Sequence, residues 1–199
     1  MQIYDISQEV FSSCVFPGDP APQKDTLLSL TKGDVCNLTA FSMCAHNGTH
    51  VDAPVHFIDG GNDVQGIALE KTVGYAFVAS FEGTLDARSA HEILARAASA
   101  HPEAAKRILL KGNATVSSAA AAVFAAEGVY LIGNESQTVG PETAPKEVHF
   151  ILLEREVVLL EGVRLAAVPD GVYFLCAAPL ALGGADGAPT RALLIDFEN

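Results

Sequence analysis

Short apolar runs separated by turn formers make up most of the chain, and three stretches favour helix instead. Residues 2–6 and 10–16 predict short strands, the second ending at Phe16-Pro17-Gly18-Asp19-Pro20, which is too rich in turn formers to be anything but a loop. Residues 26–31 and 34–43 predict two more, joined at Thr31-Lys32-Gly33-Asp34 as a hairpin turn. Residues 73–81 form a further β run, and Ser89-Ala90-His91-Glu92 has capping-box spacing for an alanine-rich helix to about residue 99. The segments 107–112, 117–126 and 129–133 then predict strand, small-residue helix closed by Gly128, and strand. Such a β-α-β unit pairs its strands in parallel and places ligands beyond their carboxyl ends, where Asn134-Glu135-Ser136-Gln137 falls. Pro145 opens a third helix over 145–154, Val157-Val158-Leu159-Leu160 is a buried strand ending at Glu161-Gly162, and 172–177 and 190–196 close the chain as strands. The pattern is that of an α/β protein.

Composition narrows the class. At 199 residues the chain fits a single domain, 1–199, with no internal repeat or boundary, and its 49% apolar content can build a core without disulfides. A formal net charge of −12 argues against binding nucleic acid or an anionic membrane. No signal peptide or membrane-length apolar run is visible, so the expectation is cytoplasmic. Cys14, Cys36, Cys44 and Cys176 lie in apolar contexts without Cys-x-x-Cys spacing, which predicts reduced, buried thiols.

The chemistry concentrates between Cys44 and Phe57. Three of the six histidines, His46, His50 and His56, fall there with Asp52 between them. Imidazole and carboxylate together suit Zn²⁺ or Mn²⁺. Gly48 and Pro54 rule out a sustained helix, so a bent turn is expected to aim His46 and His50 inward. If the chain leaves that turn extended, Asp52 points the same way as His50, because one strand face recurs every second residue. His91 and His101 lie in an exposed first turn and a Pro-flanked loop, outside the site.

His46-Asn47-Gly48-Thr49-His50-Val51-Asp52-Ala53-Pro54-Val55-His56-Phe57 resembles the signature of the cyclase-like metal-dependent hydrolases, a family that includes bacterial kynurenine formamidase and isatin hydrolase. A second resemblance is a helix histidine, His149, followed twelve residues later by Glu161 in Leu-Glu-Gly. A third is the closing loop Pro179-Leu180 through Asp186-Gly187-Ala188-Pro189. The family implies a mixed sheet with flanking helices, of the swivelling β/β/α type, in subunits that associate at least as homodimers. It implies two divalent metals, Zn²⁺ or Mn²⁺, held by His46, His50, Asp52, His149 and Glu161. It casts His56 as the general acid/base and brings the loop at Phe16 towards the substrate. Kynurenine formamidases typically carry tryptophan there, so Phe16 keeps a stacking face and loses a donor.

The activity so implied is hydrolysis of a small amide, an aryl formamide such as N-formylkynurenine or a cyclic lactam. Two other readings stand beside it: a cyclase or dehydratase working by metal-assisted proton abstraction, and a non-catalytic metal-binding protein. Retention of His56, which no ligand count requires, weighs against the last.

Overall fold

The computed structural model describes residues 1–197, which form an α/β domain around a large curled mixed sheet. Its strands are β1 (Gln2–Asp5), β2 (Gln23–Leu28), β3 (Leu38–Ser42), β4 (His50–Asp52), β5 (Val73–Ser80), β6 (Gly83–Leu85), β7 (Arg107–Lys111), β8 (Ala114–Val116), β9 (Leu131–Asn134), β10 (Val158–Glu161), β11 (Gly171–Cys176), β12 (Gly187–Pro189) and β13 (Leu193–Asp196). The helices are α1 (Ala87–Ala100), α2 (Ser118–Ala126) and α3 (Lys146–Leu153). Nine strands join the main sheet in the order β1-β13-β11-β5-β7-β9-β10-β4-β12. Its centre, β5-β7-β9-β10, is parallel and its flanks are antiparallel.

The central strands are apolar along their length because both faces are covered. Ile108, Leu110, Ile132 and Leu159 face the helices, while Leu109, Leu131, Val158 and Leu160 face the inside of the curl with Ile6, Val64 and Leu165. Packing there is tight enough to select for glycine. A Cβ on Gly133 of β9 would lie 2.7 Å from Leu109 Cδ2 and 2.9 Å from the Leu160 carbonyl oxygen. Helix α1 buries Ala90, Ile93, Leu94 and Ala97, the spacing of one amphipathic stripe. Helix α3 buries Val148, His149, Leu152 and Leu153, so His149 rides on the stripe that docks the helix.

Several elements depart from the sequence expectation. Residues 10–16 are no strand: Val10–Ser12 is a 3-10 turn whose first amides are capped by the Glu9 carboxylate, and the rest is loop. The hairpin is β2–β3, joined by a longer connection with a 3-10 turn at Leu30–Lys32 and left-handed Gly33. Helix α1 starts at Ala87, because Asp86 accepts from the Ser89 amide and caps it three residues ahead of the expected cap at Ser89. Gly187–Pro189, part of the closing loop, is a strand. The last strand, expected from residue 190, begins at Leu193, so Arg191 precedes it and pairs with Asp5. The cysteines are all free, as expected, but Cys14 and Cys36 are exposed and Cys44 and Cys176 only half-buried.

Candidate active site

The site is built on β4, the three-residue strand His50–Asp52, held between β10 and β12. In the β4–β10 register His50 lies directly opposite Glu161, and Asp52 follows on the same strand face as His50. Helix α3 brings His149 over them. His50, Asp52, His149 and Glu161 are each no more than 3% exposed. His50 Nε2 is 3.3 Å from Asp52 Oδ1 and 3.5 Å from Glu161 Oε2, and His149 Nε2 is 3.2 Å from Glu161 Oε1 and 3.6 Å from Asp52 Oδ2. Each carboxylate therefore faces both histidines.

The backbone decides which ring nitrogens point inward. His50 Nδ1–H donates to the Gly48 carbonyl at 3.0 Å and His149 Nδ1–H to the Pro145 carbonyl at 2.9 Å, which leaves both Nε2 atoms for the centre. Gln137 donates to the same Gly48 oxygen, and the Val139 amide fixes Glu161 Oε1 at 2.8 Å. Gly162, with φ of +69°, lets the chain turn away after Glu161, where a side chain would strike the Gly48 carbonyl.

Charge is concentrated here and balanced only among histidines and carboxylates. Burial presses the His50 pKa down, yet hydrogen bonds and charge from Asp52 and Glu161 outweigh it and carry the value up to about 10. At His149 burial is again outweighed, chiefly by Glu161, and the value rises to about 9. Burial disfavours the Asp52 anion, but hydrogen bonds from His46 and His50 hold its pKa well below the usual carboxylate range. Among the described residues no lysine or arginine reaches Asp52 or Glu161. Two buried carboxylates and three imidazoles with no fixed cation form a donor set that suits a divalent metal.

His46 and His56 complete the cluster. Their rings stack with centroids 4.1 Å apart. His46 Nδ1 is 2.8 Å from Asp52 Oδ1, and its Nε2 is 3.0 Å from Asp186 Oδ2. Burial lowers the His46 pKa, but Asp52 outweighs it and the net shift is upward. His56 Nδ1 is 3.2 Å from Asp186 Oδ2, and burial, the dominant influence, moves its pKa down. All these groups line one cavity of about 390 Å³, with Phe16, Asp19, Cys44, Phe57, Gln137, Thr138 and Pro145 as the remaining wall.

The model of the putative cyclase family matches residues 4–141. The chain belongs to this family. Among the relatives of this cyclase-family chain, the kynurenine formamidase of Salinibacter ruber is 32% identical, over 98% of each chain. That of Bacillus anthracis is 30% identical over 96% of this chain and 95% of the relative. A solved structure described as a potential metal-dependent hydrolase with cyclase activity superposes with a TM-score of 0.78 at 26% identity, covering 97% of this chain and 96% of that one. Isatin hydrolase A from Ralstonia solanacearum shares the fold, with a TM-score of 0.78 at 20% identity over 98% and 92% of the two chains.

In this cyclase-family structure, all seven residues singled out from sequence, Phe16, His46, His50, Asp52, His56, His149 and Glu161, meet in the one cavity. The bent turn at Gly48 and the extended exit through Asp52 are as expected. Of Asn134-Glu135-Ser136-Gln137, Gln137 alone lines the cavity, with Thr138 next to it. Asn134 and Glu135 instead hold backbone, Asn134 at the Ala114 and Thr138 carbonyls and Glu135 at the Gly112 and Leu165 amides. His91 and His101 stay outside, the latter against Tyr75 with ring centroids 4.2 Å apart. The residue that sequence reasoning left without a role is Asp186. Its signal was the likeness of the closing loop to the family pattern, but an Asp-Gly step before Ala-Pro reads first as a turn.

Proposed function

We propose that this chain is a metal-dependent hydrolase of a small amide, acting on a C–N bond outside peptides, with an aryl formamide of the N-formylkynurenine type or a cyclic lactam as substrate. The observation that carries the reading is the convergence of His50, His149, Asp52 and Glu161, all buried, on a centre that among the described residues no lysine or arginine reaches and where a metal would displace the imidazole protons. His46, His50, Asp52, His149 and Glu161 would hold two divalent metals, Zn²⁺ or Mn²⁺, with Asp52 and Glu161 each facing two histidines. Metal there supplies Lewis acidity, which brings the pKa of water towards neutrality and draws charge from the amide carbonyl.

The protein's own part is proton transfer and placement. His56 lines the cavity and, with burial lowering its pKa, is neutral at pH 7 and free to take the proton of the attacking water. As the C–N bond breaks, it returns that proton to the leaving nitrogen, giving a carboxylic acid and an amine. Phe16 and Phe57 offer aromatic faces to a planar substrate in a cavity of about 390 Å³. The kynurenine formamidase relatives and the potential metal-dependent hydrolase support this chemistry. Four free cysteines fit the reducing cytoplasm expected from sequence.

Metal content per chain, measured on protein purified without added metal, tests the reading alongside hydrolysis of N-formylkynurenine and isatin before and after chelation. About two metals per chain and chelator-sensitive hydrolysis of either compound are expected. Protein that binds no metal and hydrolyses neither would overturn it.

A further inference from the structure

The geometry points to Asp186 as a positioning residue that fixes the tautomer of His56 and the ring of His46 together, so that one carboxylate joins the proton-transfer group to the metal-binding cluster. This rests on the hydrolase reading above. One oxygen, Oδ2, lies 3.2 Å from His56 Nδ1 and 3.0 Å from His46 Nε2, and the stacked rings present both nitrogens to it from the same side. An ionised carboxylate only accepts hydrogen bonds, so both nitrogens must carry protons. For His56 this leaves Nε2 with its lone pair, the form a general base needs. His46 Nδ1, 2.8 Å from Asp52 Oδ1, donates there in turn, and it is the nitrogen that would face a metal once its proton is displaced.

Asp186 is placed with unusual firmness for a loop residue. Its carbonyl accepts from the Ala53 amide at 2.9 Å, one residue beyond β4. The preceding Ala185 carbonyl accepts from the Val64 amide at 3.0 Å, and the Asp63 carboxylate takes the Gly184 amide at 2.6 Å. Gly187 pairs directly with Asp52 in the β12–β4 ladder. It must be glycine: a Cβ there would lie 2.8 Å from His46 Cε1 and 2.8 Å from the Val51 carbonyl oxygen. The Asp-Gly step is therefore shaped to the His46 ring on one side and clamped to the backbone on the other. The Asp186 side chain is half exposed, so it contributes little to the core.

The two competing roles are a metal ligand, since His46, His56 and Asp186 also lie close enough together to share an ion, and a spacer that merely fills the loop. Asparagine separates them, because it copies the shape of aspartate but can donate an amide N–H to His56 Nδ1 and so drive the ring to the Nε2–H tautomer. A spacer role makes Asp186→Asn the mildest change. Tautomer control makes it at least as damaging as Asp186→Ala.

The test uses Zn²⁺-loaded wild type, Asp186→Asn and Asp186→Ala. It measures metal per chain, kcat and KM for N-formylkynurenine and isatin, and the His56 side-chain tautomer by long-range ¹H–¹⁵N correlation on ¹⁵N-histidine-labelled protein. Expected are unchanged metal content, the Nδ1–H form in wild type and the Nε2–H form in Asp186→Asn. The kcat should fall by at least about tenfold, towards the 10²–10⁴ of a lost general base, with KM within about threefold. Metal loss in either variant would overturn the proposal in favour of a ligand. An unchanged tautomer, or Asp186→Asn close to wild type, would overturn it in favour of a spacer. If wild type hydrolyses neither compound, the hydrolase reading fails on its own, and the tautomer spectra still decide the role of Asp186.

Discussion

A histidine can serve as a metal ligand when one ring nitrogen faces the right way and can give up its proton, and at His50 and His149 a backbone carbonyl that takes Nδ1–H turns Nε2 towards the centre. The His56 ring lacks such an anchor to backbone among the described residues and contacts a carboxylate instead, which would suit the proton-transfer role proposed for it. His56→Ala should accordingly keep its metal while kcat falls by about 10²–10⁴; metal analysis beside steady-state kinetics checks this, and loss of metal would make His56 a ligand. The spacing His46, His50, Asp52, His56 was legible in sequence because chemistry of this density within eleven residues, His-x-x-x-His-x-Asp-x-x-x-His, has few structural uses. Asp186 was not legible as a partner of His46 and His56, since the contact joins positions separated by 140 and 130 residues.

At the scale of elements, register does the work that spacing does at the scale of residues. Glu161 could be read from sequence as the end of a strand, but that it faces His50 follows only from the antiparallel β4–β10 ladder. Apolar runs predicted the central strands well because those are buried on both faces, and predicted 10–16 badly because Phe11 and its neighbours pack against the hairpin, as in the Phe11–Phe41 edge contact, without a strand partner. The end of β5 is tied to the loop before β11 by Asp170, which accepts from the Ser80 amide at 2.9 Å and pairs with Lys111 of β7 at 3.3 Å. Burial raises the Asp170 pKa, but the Ser80 hydrogen bonds and Lys111 outweigh it, so the net shift is downward. A carboxylate lowered in the folded state adds stability above its unfolded pKa, near 3.9, and loses it as pH falls through the folded value. Asp170→Asn should therefore cost about 1 kcal/mol at pH 7 and progressively less below about pH 4, as read by urea unfolding across that range.

Over the whole molecule, the two cores on either side of the sheet account for most large apolar side chains, and the β2–β3 hairpin is the main departure. It leaves Leu27, Leu38 and Phe41 about half exposed and Val35 almost wholly so. A surface of this kind is what the association implied by the family resemblance, at least as a homodimer, would cover. Light scattering coupled to size exclusion should report a dimer for wild type and a shift towards monomer for Leu27→Asp/Phe41→Asp; a monomeric wild type would remove the expectation. Strand β4 has a further consequence. Both of its neighbours, β10 at 158–161 and β12 at 187–189, lie more than a hundred residues downstream. Until those segments arrive, His50 and Asp52 sit on a strand with nothing to pair with, and long-range pairing is the slow part of folding. Metal capture should thus be a timestamp for completion: on refolding with Co²⁺, visible absorption should appear with the last phase of far-ultraviolet ellipticity, so that the ion certifies a finished chain instead of recruiting an unfinished one.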